Sequence, residues 1–197
     1  MEHFYQTVEG FMDHRTTVML DLVLDRFPAK GTWVELGSWM GRSACYCVVE
    51  LLNRDKLGFF YCVDTWQGGD DIENHPLVVT NQAHENLLNN ARENFLNNIA
   101  PIKEYITDIK SDSASAAARF IDNSVDFCYV DAGHTYEGVI RDLNAWWPKI
   151  RPGCRFGGDD YTKVWPGVCR AVEEFFEDKK IKVSRIGRCW MVTKPLE

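Results

Sequence analysis

Glu35-Leu36-Gly37-Ser38-Trp39-Met40-Gly41-Arg42-Ser43 is the stretch that decides how this chain folds. An apolar, β-prone run, Thr32-Trp33-Val34, leads into it, and a helix-forming run from Ala44 to Leu52 follows. A strand, a turn through two glycines and a helix, in that order, bring backbone N–H groups and the positive end of a helix, about half an elementary charge, to one point. The glycines permit the tight turn and let a ligand approach the backbone closely. A dinucleotide fingerprint, G-x-G-x-x-G, needs its second glycine where the pyrophosphate meets the chain, and Trp39 stands there instead. No Gly-Lys-Ser/Thr follows the turn, so the phosphate loop of nucleotide hydrolases is missing too. Glu35 closes this strand and Asp64 closes the next, Phe59-Phe60-Tyr61-Cys62-Val63-Asp64. Two carboxylates at adjacent strand ends suit a cationic centre, an amino group or a ribose diol, and they repel a polyphosphate.

Working outward, strand-like and helix-like segments alternate, the pattern of a parallel α/β sheet. Phe11, Met12, Val18, Met19, Leu22, Val23 and Phe27 recur at helical spacing before Pro28, which predicts an N-terminal helix within residues 1–30 packed on the sheet. Strands are expected over 32–36, 59–64, 102–109 and 125–130, with a fifth entered at 155–158. Helices are expected over 41–52, 82–99, 114–120, 136–147 and 166–178. The last begins at Pro166, suited to a first helical turn. Residues 181–186 and Cys189–Thr193, joined around Gly187, read as a C-terminal hairpin. No repeat, linker or low-complexity tract interrupts a single domain over 1–197.

In such sheets ligands sit outside the carboxyl ends of the strands, and every parallel strand here ends in acids: Glu35, Asp64, Asp112 with Ser113, Asp131, and Asp159-Asp160. Asp and Ser also favour turns and helix N-caps. That plain reading competes on even terms for Asp112 and Ser113, which precede an alanine-rich helix, and is weaker for Asp131, Asp159 and Asp160.

Glu-x-Gly-x-x-x-Gly-x-Ser, then Val63-Asp64-Thr65-Trp66, resembles a class I S-adenosylmethionine-dependent methyltransferase. Val130-Asp131-Ala132-Gly133-His134 and Arg151-Pro152-Gly153 through Asp159-Asp160-Tyr161 extend the likeness to small-molecule O-methyltransferases related to macrolide-sugar and antibiotic-tailoring enzymes. Trp39 and Cys154 depart from the pattern, each at a position where a glycine is usual. The resemblance implies a Rossmann-like, doubly wound, mostly parallel seven-stranded sheet with an antiparallel C-terminal hairpin. It implies a cofactor site in which Glu35, Gly37, Ser38, Gly41 and Ser43 face the methionine end. Asp64 would take both ribose hydroxyls, since one carboxylate accepts two bonds. Trp66 would cover the adenine, unless it is simply a core or lid tryptophan, and Asp112 with Ser113 would meet the adenine edge, beside Asp131. Asp131, Asp159 and Asp160 would repel one another unless protonated or bound to a cation, and as hard oxygen ligands they suit Mg²⁺. Asp131 and His134 carry the catalytic expectation, His134 as base or as a structural histidine. Residues 66–80, polar and glycine-rich, would fold over the site as a lid. Two alternatives stay open: a Rossmann oxidoreductase using NAD(P), and a domain that binds S-adenosylmethionine without catalysis.

Bulk properties fit a soluble, cytoplasmic enzyme; the resemblance implies that it acts on a small hydroxylated molecule. At 197 residues the chain can bury roughly 70% of its unfolded surface. A net charge of −7 argues against a nucleic-acid backbone as partner. No run reaches the ~18 apolar residues of a membrane span. The seven cysteines contain no C-x-x-C pair and read as reduced. Self-association into a homo-oligomer is left open.

Overall fold

Seven strands form one sheet in the order β3-β2-β1-β4-β5-β7-β6 in a computed structural model that describes residues 1–68 and 88–196. The strands are β1 (Thr32–Leu36), β2 (Phe59–Asp64), β3 (Ile106–Lys110), β4 (Val125–Val130), β5 (Ile150–Gly158), β6 (Ser184–Ile186) and β7 (Cys189–Thr193). The first five pair parallel, whereas β7 runs antiparallel to both β5 and β6. The helices are α1 (His14–Arg26), α2 (Arg42–Asn53), α3 (Ala91–Asn98), α4 (Ser113–Ala116), α5 (Tyr136–Trp146) and α6 (Pro166–Glu177).

Alternation along β1 places the two cores. Trp33 points to one face, where it packs with Phe60, Phe127 and residues of α1 and α2. Val34 and Leu36 point to the other, against Leu143 and Trp146 of α5 and Val172 and Phe176 of α6. Burial on both faces makes β4 a continuous buried run, as central parallel strands require. Order reverses between β1 and β4, and the crevice where their outgoing loops diverge is the place such sheets offer a ligand.

β1, β2 and β4 match the sequence expectation residue for residue. β3 starts at Ile106 rather than 102, because Pro101 opens a 3₁₀ run, Ala100–Tyr105, ahead of it. β5 begins earlier than 155, at Ile150, and bulges where Gly153 takes φ +81°. The expected helix over 114–120 is a single α turn, α4, continued by 3₁₀ residues Ala117–Arg119. The first hairpin strand is only Ser184–Ile186. Of the helix expected over 82–99, α3 is the described part. Most of the 66–80 lid lies outside the described residues. No helix among the described residues is long and apolar enough to cross a membrane.

Candidate active site

Backbone forces build the floor of the crevice. Gly37 sits at φ +83° with its N–H on the Val63 carbonyl at 2.8 Å, and a Cβ there would lie 1.9 Å from the Asp131 carbonyl oxygen. Only glycine allows β1 and β4 to leave the sheet so close together. Trp39 (φ +40°) and Gly41 (φ +84°) then turn the chain into α2. Asp64 pins that turn: its Oδ2 accepts the Trp39 N–H at 2.7 Å, and its Oδ1 accepts the Trp66 N–H at 2.6 Å. Burial pushes the Asp64 pKa up, and these amides oppose the shift. Asp64 is thus a loop organiser before any ligand arrives.

Trp66 is buried; its indole N–H donates to the Trp39 carbonyl at 3.0 Å and its ring packs on Phe95. It lines the crevice while belonging to the core. Glu35 is fully buried one residue before the end of β1, and burial raises its pKa to about 7 against the opposing pull of the nearby Ser43 and Ser38 hydroxyls and the Cys62 thiol. The Ser38 Oγ is buried and has no well-formed hydrogen-bond partner. Asp112 is an exposed N-cap of α4, accepting the Ser115 N–H at 2.9 Å. Ser113 donates to Asp142, a buried carboxylate on α5 that the sequence reading did not single out.

Across the crevice the acids that follow β5 meet an arginine and a histidine. The Arg188 guanidinium donates from Nε to Asp159 Oδ1 at 2.7 Å and from Nη2 to Asp160 Oδ1 at 2.5 Å. His134 Nε2 lies 2.9 Å from Asp160 Oδ2, and its ring stacks on Trp165 at 4.0 Å between centroids. The Tyr129 hydroxyl reaches Asp159 Oδ2 at 3.3 Å. Asp131, at the end of β4, carries a pKa pushed well up by burial and by the charges of Asp159 and Asp160, with Arg188 and His134 pulling the other way. Burial likewise raises Asp159, against the pull of Arg188. Among the described residues, no three His, Cys, Asp or Glu side chains are arranged to hold a metal. The cation facing Asp159 and Asp160 is an arginine. Arg188 was missed because it reaches them from a hairpin turn 28–29 residues downstream.

Ser38, Asp64, Asp131, His134, Asp160 and Arg188 all line one cavity of about 610 Å³, a size ordinary for a small-molecule site, whereas Glu35 lies behind its wall. Gly10, Phe11 and Met12 close one side of it; Phe11 stacks on Trp39 at 5.3 Å, nearly parallel, and Arg42 Nη1 donates to the Gly10 carbonyl at 2.9 Å.

The family model of the methyltransferase domain matches residues 34–161, well over half of the chain and the span that supplies β1 to β5. The chain belongs to the methyltransferase-domain family. No curated protein matches it in sequence. Among solved structures, this methyltransferase resembles the O-methyltransferase NovP with a TM-score of 0.70 at 18% identity, covering 92% of this chain and 80% of NovP. It resembles CalS11, a calicheamicin methyltransferase, at TM-score 0.59 and 15% identity, covering 92% and 80%. It resembles MycE, solved with Mg, S-adenosylhomocysteine and mycinamycin VI, at TM-score 0.60 and 17% identity, covering 95% of this chain and 51% of MycE. Such distant likenesses establish the shared Rossmann-like methyltransferase fold.

Proposed function

We propose that this chain transfers a methyl group from S-adenosylmethionine to an oxygen of a small hydroxylated molecule. The observation that carries the reading is the division of the cavity. Its β1/β2 side is set by backbone and carboxylates, and its β4/β5 side by a histidine against buried acids. The first half fits the cofactor's chemistry. Asp64 presents a carboxylate to the cavity for a diol, Ser38 brings a buried hydroxyl to its wall, and Glu35 stands buried behind that hydroxyl. Asp112 and Ser113 stand at the adenine end of that reading, though both already serve α4. Gly133, with open space beside it, leaves room between the halves. Phe11, on the face of Trp39, blocks the approach a pyrophosphate needs, so the oxidoreductase alternative loses ground.

When bound, S-adenosylmethionine supplies a sulfonium methyl that an oxygen nucleophile displaces in line. The protein's task is to position and deprotonate that nucleophile, positioning being worth up to ~7–11 kcal/mol in favourable systems. His134 is held at 2.9 Å from Asp160 through Nε2 and stacked on Trp165, which set its position and ring plane for the part of the base. The acceptor's proton passes to His134 as the O–C bond forms and the C–S bond breaks.

Mg²⁺, expected from the three carboxylates, does not fit the donors as they stand: among the described residues no three acidic or histidine side chains are arranged to hold a metal, and Asp159 and Asp160 are already paired with Arg188. Acceptors without a nucleic-acid backbone suit the net charge of −7, and seven free cysteines suit a cytoplasmic, reducing compartment.

Calorimetric titration with S-adenosylhomocysteine, NAD and NADP tests the reading. Binding of the first alone, followed by methylation of at least one vicinal diol or phenol in a panel, is expected. Binding without turnover on any acceptor would favour a non-catalytic domain, and binding of NAD instead would overturn the reading.

A further inference from the structure

The depth of the cavity and its rim differ in chemistry. Asp159 and Asp160 lie deep, at 5% and 6% exposure, whereas Phe11 and Val164 line the same cavity as large apolar side chains left 52% and 69% exposed. Exposed apolar surface gathered at the mouth of a polar site marks a place that a ligand covers. Both segments that carry it are held in place. Before α1, Arg42 Nη1 donates to the Gly10 carbonyl at 2.9 Å, Phe11 stacks on Trp39, and Asp13 caps the helix through the Thr16 N–H at 2.9 Å. Before α6, the Trp165 N–H donates to the Thr162 carbonyl at 3.0 Å, and the Trp165 ring lies on His134. Met12, beside Phe11 on the cavity wall, adds a thioether that packs well against the edge of an aromatic ring. Hydroxyls of a sugar pressed against these walls would lose their water partners without replacement. The arginines that line the cavity are committed elsewhere: Arg188 to Asp159 and Asp160, Arg42 to Gly10, and Arg141 beside Asp112 at the β3 end of the sheet. An uncharged ring suits this rim better than a sugar that carries a diphosphate.

We infer that the methyl acceptor is a phenol, its aromatic ring held between Phe11 with Met12 on one wall and Val164 with Trp165 on the other, and its hydroxyl directed to His134. The inference rests on the methyl-transfer reading above and names the acceptor class of that same site. The acceptor's own acidity points the same way. A phenolic hydroxyl ionises at about pH 10, as that of tyrosine does, whereas a hydroxyl of water's acidity ionises at about 15.7. The phenol is thus about 10⁵–10⁶-fold easier to ionise, and its proton is within the reach of a single imidazole base. In the transfer the phenolic proton passes to His134, the oxygen bonds to the methyl carbon, and the C–S bonding pair stays on sulfur to leave S-adenosylhomocysteine. Phe11, Met12 and Val164 decide which acceptor enters, because they meet its ring and not its reacting oxygen.

Calorimetric titration of protein saturated with S-adenosylhomocysteine tests the acceptor class without turnover, with a naphthol, a methyl rhamnoside and a nucleoside-diphosphate sugar as probes. The naphthol should bind at least tenfold more tightly than either sugar. Val164→Asp places a charge on one exposed wall, and Phe11→Ala removes the ring from the other; each should weaken naphthol binding at least fivefold. S-adenosylhomocysteine titrated into each variant shows whether the fold and the cofactor half are intact. In turnover, Val164→Asp should raise KM for the naphthol far more than it lowers kcat. Equal or tighter binding of a sugar, or binding of none of the three, with S-adenosylhomocysteine bound, would overturn the phenol inference and leave the cofactor reading standing. Unchanged naphthol affinity in both variants would overturn the placement of the ring. Failure of S-adenosylhomocysteine to bind the wild type would overturn the methyl-transfer reading and this inference with it.

Discussion

The two halves of the cavity neutralise buried carboxylates in different ways. At the ends of β1 and β2, Asp64 is held by main-chain amides of Trp39 and Trp66, groups that cannot leave without unfolding the loops. At the ends of β4 and β5, Asp159 and Asp160 are held by Arg188 and His134, side chains that can rotate away. The first arrangement sets a shape in advance. The second sets a charge balance that a ligand, a proton or a cation can alter. A methyl donor common to a whole family suits a fixed wall, and an acceptor whose hydroxyl must be ionised suits an adjustable one.

The largest effect should come from breaking the fixed half. Asp64→Ala leaves two interior N–H groups without an acceptor and removes two hydrogen bonds to a charged group, each worth about 1.5–3 kcal/mol. A loss of about 3–6 kcal/mol in urea unfolding is expected, together with loss of measurable S-adenosylhomocysteine binding. A variant with unchanged unfolding midpoint and unchanged affinity would show that Asp64 neither pins the loops nor serves the cofactor.

How much of this contrast could be read from the sequence follows from how local each half is. The Gly37 turn, Glu35 and Asp64 were legible because strands buried on both faces announce themselves as apolar runs, and acids at their ends stand out. The expected strand over 102–109 began four residues late, because Pro101 favours a 3₁₀ entry that periodicity does not register. Asp131, Asp159 and Asp160 were legible as an acidic constellation. Their cation was not, since Arg188 belongs to a hairpin whose route back to β5 is set by antiparallel register, not by local pattern. Asp142 escaped for a similar reason: it lies within α5 and meets Ser113 only through tertiary packing.

The adjustable half should respond to mutation in a graded way. His134→Ala removes the proposed base, a contribution of about 10²–10⁴-fold, and its loss should be partly recovered at high pH, where hydroxide substitutes. Asp131→Ala should lose at least as much across the whole pH range, because it alters the charge on which Asp159, Asp160 and Arg188 depend. Rate profiles from pH 6 to 10 on one acceptor separate the two. Parallel, pH-independent losses in both variants would remove His134 from the proton transfer.

The smallest effect tests whether the fixed half hides one titratable element. Glu35 is fully buried, and burial raises its pKa from the ordinary 4.5 to about 7. A carboxyl whose folded pKa lies above its unfolded one favours the folded state while protonated. Its stabilising share is therefore complete below about pH 4.5 and disappears as pH rises through about 7. The shift corresponds to about 3 kcal/mol of stability lost over that window. Asp131 and Asp159 shift in the same direction, so the absolute pH dependence is shared, and the difference between wild type and Glu35→Gln isolates Glu35. The neutral variant should match the wild type near pH 4.5 and exceed it by about 2–3 kcal/mol at pH 8, measured by urea unfolding. If the ammonium of the cofactor sits beside Glu35, saturating S-adenosylhomocysteine should favour the ionised carboxylate and stabilise the wild type more than the variant at pH 8. Equal stabilisation of both proteins by S-adenosylhomocysteine would separate Glu35 from the cofactor, leaving it a buried acid that the fold tolerates.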